Sequence, residues 1–250
     1  MRVCFTHLGC KLNQAEVERL ARQFAAAGHR VVDDLADADL HVVNSCTVTS
    51  LAARSSRQAA TRGRERSGLR TVLTGCYASE PGGAPALPGV DLVVANRDKE
   101  RLVELVHAAF PEAAPLPSAP VVPSACRAAG TRALLKVEDG CNMRCAFCVI
   151  PSTRGRQHSR PLPELVAELQ SLWAAGYREV VVTGVQISAY RDGTARLPEL
   201  VRALLATLDG TNAPRRLRLT SIAPWDLEPG WLALWQDRRL CRHLHLSLQS

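Results

Sequence analysis

The hydrophobic pattern of the first 110 residues alternates between short apolar runs and longer amphipathic stretches. Runs rich in β-branched residues predict buried parallel strands at residues 2–8, 40–44, 71–74 and 91–95. Apolar residues at helical spacing predict helices at residues 14–27 and 99–109, and Gly28 follows the first of them as a C′ glycine would. An Arg-rich polar helix is predicted between the second and third strands, at roughly residues 49–66. This order predicts an α/β fold with a doubly wound parallel sheet, which we assign to an N-terminal domain of residues 1–110.

The pattern changes at residue 111. Five prolines between residues 111 and 123 stand among alanine and serine, and they predict an extended linker over residues 111–130. In residues 131–250 the alternation resumes, with strands predicted at residues 133–137, 179–183, 217–221 and 244–248. Helices are predicted at residues 164–175 and 198–208, and a shorter one at residues 231–236. We expect this second domain to be the first part of a β/α barrel, truncated inside its fourth strand.

The composition is that of an ordinary globular protein, with 46% hydrophobic and 22% charged residues. No apolar stretch approaches the roughly 18 residues of a membrane span, and no leader pattern is found, so we expect a cytoplasmic protein without a membrane partner. The formal net charge is +7, and nearly all of the positive charge comes from arginine, whose planar guanidinium suits phosphate recognition. Charge alone leaves nucleic-acid binding and a solvated basic surface equally open.

The spacing of three of the nine cysteines is the most specific signal in the chain. Cys141, Cys145 and Cys148 form a Cys-x3-Cys-x2-Cys motif directly after the first predicted barrel strand. Three thiolates can hold three irons of a 4Fe–4S cluster and leave the fourth iron open for another ligand. The alternative is a zinc knuckle, but zinc sites usually have four ligands in two pairs, and no second pair lies nearby in the sequence.

A second set of cysteines is dispersed in the sequence but shares one structural position. Cys10, Cys46 and Cys76 each follow the end of a predicted parallel strand, at the sheet edge where α/β folds bind ligands. They are candidates for a second iron–sulfur cluster, and the alternative is three unrelated buried thiols that pack as small apolar groups. The remaining cysteines have no spaced partners and are interpreted as packing thiols; they are Cys4, Cys126 and Cys241.

Five short motifs resemble those of radical S-adenosylmethionine (SAM) methylthiotransferases. After the Cys-x3-Cys-x2-Cys motif come VIP at residues 149–151 and RGR at residues 154–156. The N-terminal domain carries GCKLN at residues 9–13, NSCTVT at residues 44–49 and TGCY at residues 74–77. GCK and CTVT are closest to the branch that modifies N6-threonylcarbamoyladenosine at position 37 of tRNA. Sister branches modify isopentenyladenosine in tRNA or an aspartate of a ribosomal protein.

The resemblance implies two 4Fe–4S clusters and SAM as cofactors, in a radical SAM partial barrel preceded by a methylthiotransferase domain. It implies that Cys141, Cys145 and Cys148 hold the cluster that binds SAM, whose reductive cleavage yields a 5′-deoxyadenosyl radical. Cys10, Cys46 and Cys76 are then the ligands of the auxiliary cluster that carries the sulfur, and a second SAM supplies the methyl group. The implied partners are tRNA as substrate and a reductant such as flavodoxin or ferredoxin.

Further residues are candidates for binding SAM. Gly184 and Gln186, after the second barrel strand, resemble the family's SAM-contacting turn, where a glycine allows close approach to the backbone; the alternative is an ordinary strand-end turn. Ser221, at the third strand end, is a further candidate. Arg154 and Arg156, like Arg160, are expected to face the cofactor carboxylate, an RNA phosphate or solvent.

Two alternatives to the tRNA enzyme stay open at this point. One is an iron–sulfur electron-transfer or metal-binding module without RNA chemistry, and the other is a family member that acts on a ribosomal protein. Family members continue through the rest of the barrel into a small RNA-binding β-barrel, which this chain does not contain. We therefore do not expect this segment alone to bind tRNA.

Overall fold

A computed structural model of the protein describes residues 1–82, 86–112, 132–209 and 214–247. The chain divides into two compact units: the first contains Met1–Ala129 and Met143–Gly155, and the second contains Gly130–Asn142 and Arg156–Ser250. The predicted linker over residues 111–130 lies outside the described residues from residue 113 onward, as does Cys126, so the domain boundaries stay a prediction. The sequence did not indicate that residues 143–155 group with the first unit.

The described part of the first unit contains a five-stranded, all-parallel sheet with the strand order β2-β1-β3-β4-β5. Its strands are Arg2–His7 (β1), Arg30–Val32 (β2), Leu40–Ser45 (β3), Arg70–Gly75 (β4) and Leu92–Val93 (β5). Its helices are Lys11–Ala26 (α1), Ser50–Thr61 (α2), Leu102–Ala109 (α3) and Ile150–Arg154 (α4). The predicted α/β class and doubly wound parallel sheet are confirmed.

Both faces of this sheet are buried, as a doubly wound fold requires. Successive strand residues point to opposite faces, so Val42 packs with Phe24 of α1 while Val43 packs with Ala60 of α2. The sequence pattern missed β2, because three residues are too few to show a strand period. The strand ends that carry the N-terminal cysteines were predicted within one residue for β1, β3 and β4.

All three helices predicted for the first unit begin or end elsewhere in the structure, and the first starts at Lys11, three residues before its predicted start. The helix predicted over residues 49–66 ends at Thr61, before two glycines, of which Gly68 has a left-handed φ of 82°. The helix predicted from residue 99 starts instead as a 3-10 helix, Asn96–Arg101, and becomes α-helical at Leu102. Among the helices that the structure describes, none combines the length and apolar character needed to cross a membrane.

The described part of the second unit has a three-stranded parallel sheet with the order β12-β9-β6, flanked by helices. Its strands and short hairpin strands are Arg132–Lys136 (β6), Glu138–Asp139 (β7), His158–Ser159 (β8), Glu179–Thr183 (β9), Arg191–Asp192 (β10), Ala195–Arg196 (β11) and Arg216–Leu219 (β12). Its helices are Leu162–Ala174 (α5) and Leu197–Ala206 (α6). Leucines of both helices pack on the valines of β9 in one apolar core, which confirms the β/α architecture.

The third helix and the fourth strand of this unit differ from the prediction. The helix predicted at residues 231–236 is a 3-10 helix, Pro229–Gln236. In the described part of residues 244–248, the predicted strand forms only an isolated parallel bridge between Leu246 and Ile222, and a second bridge joins Leu240 to Leu217. Between these bridges the amide of His243 donates to the carbonyl of Cys241 (2.7 Å), so the backbone turns instead of continuing a ladder. Residues 248–250 lie outside the described residues.

Candidate functional site

The N-terminal cysteine set, Cys10, Cys46 and Cys76, follows the ends of three neighbouring strands. The register pairs His7 with Asn44 and Ser45 with Gly75, so β1, β3 and β4 end at one edge of the sheet. Cys10 is the N-cap residue of α1, and Cys46 and Cys76 directly follow β3 and β4. The sheet topology therefore directs all three cysteines to the edge at which ligands bind in α/β folds.

Local contacts hold the backbone of this set. The Cys46 amide donates to Oγ of Ser56 (2.9 Å), and the same hydroxyl donates to the Cys46 carbonyl (2.8 Å), which ties Cys46 to α2. The Cys76 amide donates to the carbonyl of Ser45 (3.0 Å). Cys46 and Cys76 are buried and Cys10 is exposed, so the set opens to solvent on one side.

Cys10 and Cys76 both lie within electrostatic range of the Cys46 thiol. A Cβ built on Gly9 would lie 2.6 Å from Sγ of Cys46, so the backbone just before Cys10 packs directly on that thiol. Burial raises the pKa of the Cys46 thiol, the charges of Cys76 and Cys10 raise it further, and Arg154 lowers it. Both other thiols thus lie close enough to act on Cys46, which indicates one neighbourhood of thiols at the sheet edge.

The donor chemistry of this neighbourhood suits an iron–sulfur cluster better than a single ion. Within the described ranges, no three His, Cys, Asp or Glu side chains converge closely enough to ligate one metal ion. A four-iron cluster is larger than one ion, and its thiolate ligands stand further apart. Three thiols at one edge, with Nδ2 of Asn96 facing Sγ of Cys76 at 3.9 Å, match the ligands and hydrogen-bond donors of such clusters.

A cavity of about 350 Å³ adjoins this neighbourhood inside the first unit. Asn96 lines the cavity, contacts Cys76 and donates to the carbonyl of Thr153 (2.9 Å). The Oδ1 atom of Asn96 is buried and has no hydrogen-bond partner within the described residues. The cavity therefore offers both space and an unused acceptor next to the N-terminal cysteine set.

A buried ion network lies against the same edge and is formed by Glu16, Lys99 and Arg154. Lys99 donates to Oε2 of Glu16 (2.7 Å), and Arg154 donates to Oε1 (2.9 Å). Arg154 also donates to Oδ1 of Asn13 (2.5 Å), and Asn44 donates to Glu16 (3.0 Å). The sequence analysis did not find this network, although Glu16 shares the i+4 spacing of the buried apolar residues on α1.

The loop cysteine set, Cys141, Cys145 and Cys148, consists of half-buried thiols. Cys141 follows β7 in the second unit, whereas Cys145 and Cys148 belong to the segment that groups with the first unit. The Cys148 amide donates to the carbonyl of Cys145 (3.1 Å), which forms a turn just before α4. The eight cysteines within the described residues are all free thiols, and both sets remain available as ligands.

The turn after β9 contacts Cys141. Oε1 of Gln186 accepts from Sγ of Cys141 at 3.7 Å. A Cβ built on Gly184 would lie 2.8 Å from Cδ of Glu138, so the glycine makes room for this side chain. The sequence predicts that Gly184 allows a ligand to approach the backbone closely. In the structure, Glu138 occupies the space next to the Gly184 Cα.

Two carboxyl groups that the sequence analysis missed fix this turn. Glu138 is fully buried and accepts from the Gln186 amide through Oε1 (2.6 Å), while its Oε2 lacks a partner among the described residues. Burial raises the pKa of Glu138 to about 8. Hydrogen bonds from backbone amides of the turn lower this pKa, but the effect of burial is larger. Asp226 accepts from the side chains of Gln186 and Ser188, both at 2.7 Å. The position of Glu138 directly before the Cys141 loop was a usable signal, whereas nothing in the sequence marks Asp226.

The remaining candidates lie in different environments. Ser221 has a left-handed φ of 57°, and its carbonyl accepts from the Ile187 amide (3.1 Å), so its backbone supports the Gln186 turn. Arg156 is exposed, and Arg160 pairs with Glu168 at 2.7 Å.

The prediction for Arg154 requires a correction. Its guanidinium is buried against Glu16 and Asn13, which does not agree with a side chain facing a cofactor carboxylate, an RNA phosphate or solvent.

Two family models match successive parts of the chain, and the second match includes residues 143–155, which group with the first structural unit. Residues 2–94 match the family described as "Uncharacterized protein family UPF0004", and residues 135–250 match the radical SAM superfamily. The threonylcarbamoyladenosine tRNA methylthiotransferase MtaB of Bacillus subtilis is 32% identical over 99% of this chain and 57% of its own length. The corresponding protein of Aquifex aeolicus is 35% identical over 100% of this chain and 63% of its own.

A second group of relatives is similar at nearly the same level. The tRNA-2-methylthio-N(6)-dimethylallyladenosine synthase of Alkalilimnicola ehrlichii is 32% identical over 98% of this chain and 58% of its own length. The chain thus spans between 57% and 63% of the length of these curated relatives.

Solved structures agree with the fold. The radical SAM methyltransferase TsrM from Kitasatospora setae, solved with cobalamin and a 4Fe-4S cluster bound, has a TM-score of 0.69 at 17% identity. That alignment covers 98% of this chain and 60% of TsrM. The cysteine motifs, the two family matches and the relatives agree, and along nearly its whole length this chain is similar to radical SAM methylthiotransferases.

Proposed function

We propose that this chain carries the two cluster-binding parts of an enzyme that transfers a methylthio group to an adenosine of tRNA. The observation that carries the proposal is the presence of two separate three-cysteine sets. One set follows three adjacent strand ends, and the other has the Cys-x3-Cys-x2-Cys spacing. Three thiolates leave one iron of a 4Fe–4S cluster open, and two such clusters fit one SAM-binding task and one sulfur-delivery task.

Each set has a defined task in this proposal. Cys141, Cys145 and Cys148 would hold one cluster, and Cys10, Cys46 and Cys76 the other. When bound, the clusters and SAM supply reductive SAM cleavage and the sulfur that is transferred. Gln186 contributes a side chain next to Cys141, and the backbones of Gly184 and Ser221 shape the turn that would receive SAM.

For the substrate, we favour C2 of N6-threonylcarbamoyladenosine at position 37. The GCK and CTVT motifs support this choice, as do MtaB relatives that are 32% to 35% identical. A second candidate is isopentenyladenosine, because relatives named for the dimethylallyl substrate are 30% to 33% identical. A cytoplasmic location and a flavodoxin or ferredoxin as electron donor complete the proposal.

An assay of SAM cleavage tests the radical chemistry. The chain is reconstituted anaerobically with iron and sulfide, reduced with dithionite and given SAM. We expect 5′-deoxyadenosine from the parent chain and from Cys241→Ala, a cysteine outside both sets, and none from Cys145→Ala. If the parent forms a cluster but no 5′-deoxyadenosine, the chain is an electron-transfer or metal-binding module.

Nucleoside analysis separates the substrates. In tRNA from a strain deleted for the full-length gene, we expect loss of the 2-methylthio form of N6-threonylcarbamoyladenosine and its return with the intact gene but not with Cys46→Ala. Loss of the 2-methylthio isopentenyl nucleoside would favour the second candidate. Unchanged 2-methylthio nucleosides would overturn the tRNA assignment and direct the test to ribosomal proteins.

A further inference from the structure

The second unit contains a cavity that is lined mainly by arginine, which we call the arginine cavity. It has a volume of about 410 Å³, and its lining residues are Arg216, Arg218, Arg238, Leu240, Cys241 and Arg242. Ligand pockets usually have volumes of roughly 300–1,000 Å³, so this cavity can hold a small ligand. Among the lining residues that the structure describes, four are arginines and none is acidic. The cavity therefore presents a concave, positively charged surface.

The arginine cavity lies at the amino ends of the strands, away from the turn that contacts Cys141. Arg216 is the first residue of β12, and the register aligns it with Glu179, the first residue of β9. Gln186 and Cys141 instead follow the carboxyl ends of β9 and β7. The cavity is thus a different place in this unit from the turn that would receive SAM.

One carboxylate compensates part of the positive charge at this end of the sheet. Glu179 is buried and accepts from Arg216 (2.9 Å) and Arg218 (2.7 Å). The same carboxylate pairs with Arg132 at 3.1 Å. Three guanidinium groups therefore share one negative charge, and the group as a whole keeps a net positive charge.

The other two arginines of the cavity are not used by the fold. Arg238 and Arg242 are exposed, and within the described ranges their guanidinium groups make no hydrogen bond or ion pair. A guanidinium carries its N–H donors in a planar fork that binds two oxygens of a phosphate at once. Both side chains are therefore available to an anion in the cavity.

The thiol of Cys241 is a chemical probe inside the cavity. It is half-buried and belongs to neither cysteine set. Burial and the charge of Glu179 raise the pKa of this thiol, whereas Arg218, Arg216 and Arg132 lower it. Its reactivity therefore reports on what lies beside these arginines.

We propose that the arginine cavity binds a phosphate group, which Arg238 and Arg242 hold together with Arg216 and Arg218. The inference goes beyond the proposed function and needs neither cluster, because all of these residues lie outside both cysteine sets. Two sources carry the same chemistry: a phosphodiester of an RNA backbone and a small phosphate compound.

Alkylation of Cys241 by iodoacetamide, followed by peptide mass spectrometry, measures occupancy of the cavity. The reconstituted full chain is titrated anaerobically with inorganic phosphate and, separately, with a short RNA that has no terminal phosphate. Sodium chloride of matched ionic strength is the blank. We expect the bound anion to cover the thiol, so that alkylation slows as the phosphate concentration rises.

Two substitutions test the arginines that the fold does not use. Arg238→Gln and Arg242→Gln each remove charge-assisted hydrogen bonds to the anion, so the concentration that gives half-maximal protection should rise about tenfold. Because neither guanidinium has a partner within the described residues, both variants should fold as the parent does. Arg191→Gln removes an exposed arginine of β10 that does not line the cavity, and it should protect like the parent.

The outcomes decide both the site and the source of the phosphate. Protection that weakens in Arg238→Gln and Arg242→Gln but not in Arg191→Gln supports the site. Protection by RNA at lower phosphate concentration assigns it to an RNA backbone, and the reverse assigns it to a small phosphate compound. Absence of protection, equal protection in all variants, or its loss in the full-length protein would overturn the inference. None of these results depends on iron binding, so the proposed function is tested separately.

Discussion

At the scale of single residues, Glu138 shows how a buried acid shapes the turn after β9. It has no exposed surface, its carboxyl accepts from the Gln186 amide, and it occupies the space that a side chain at position 184 would need. Burial disfavours the charged form, which raises the pKa of Glu138 from its ordinary value of 4.5 to about 8. The protonated carboxyl is therefore the form that the fold prefers at neutral pH.

This preference predicts a pH-dependent loss of stability. Between pH 4.5 and pH 8 the unfolded chain releases the proton while the folded chain keeps it, so Glu138 makes the free energy of unfolding fall as pH rises through this window. Glu138→Gln keeps an acceptor for the turn and removes the titration, so its stability should fall less between pH 6 and pH 8. Glu138→Ala leaves the turn amide unpaired and should cost about 1–3 kcal/mol. Urea unfolding at several pH values measures both effects, and parallel pH slopes for parent and Glu138→Gln would disprove the assignment.

A buried histidine makes the opposite prediction at lower pH. His41 is 1% exposed and contacts Oγ1 of Thr6 at 2.9 Å. Burial lowers the pKa of His41 from 6.5 to about 4, so only the unfolded chain takes up this proton between those values. The contribution of neutral, buried His41 to the free energy of unfolding is fully present above pH 6.5 and decreases as the pH falls toward 4. His41→Gln should therefore weaken the decrease in urea midpoint between pH 7.5 and pH 5, whereas His158→Gln, at an exposed site, should leave it unchanged.

At the scale of elements, the cysteine positions followed from strand ends that the sequence marks clearly. The β-branched runs of β3 and β4 predicted the strand ends that lie directly before Cys46 and Cys76. The Cys-x3-Cys-x2-Cys motif is recognisable from the sequence alone. Contacts between residues far apart in the sequence could not be predicted from the sequence pattern. Arg154 meets Glu16 across 138 positions of sequence, and neither residue type alone specifies its partner.

The turn between β1 and α1 supplies a test of the N-terminal set. Gly9 has a φ of 91°, and a Cβ there would lie 2.6 Å from Sγ of Cys46. Gly82 has a nearly identical φ of 92°, and a Cβ there would meet no atom of the described residues within 4 Å, so it reproduces the backbone strain without the clash. Gly9→Ala should reduce the iron bound after reconstitution from about eight to about four atoms per chain. Gly82→Ala should keep the full amount; equal iron in both variants would contradict the packing argument.

At the scale of the whole molecule, each unit carries a feature on which the proposed function depends. The first unit is a doubly wound sheet with three cysteines at the carboxyl edge of its strands, and the second is a β/α sheet whose strand-end turn contacts Cys141. Relatives of known name match nearly all of this chain. The similarity to radical SAM methylthiotransferases thus rests on agreement between motif spacing, topology and sequence identity.

The central claim is that the two cysteine sets hold two independent clusters. Iron and sulfide content, determined on the reconstituted parent, Cys46→Ala, Cys145→Ala and the double variant, tests it most directly. The account predicts about eight irons in the parent, about four in each single variant and almost none in the double variant. Complete loss of iron in either single variant, or full retention in Cys46→Ala, would contradict it.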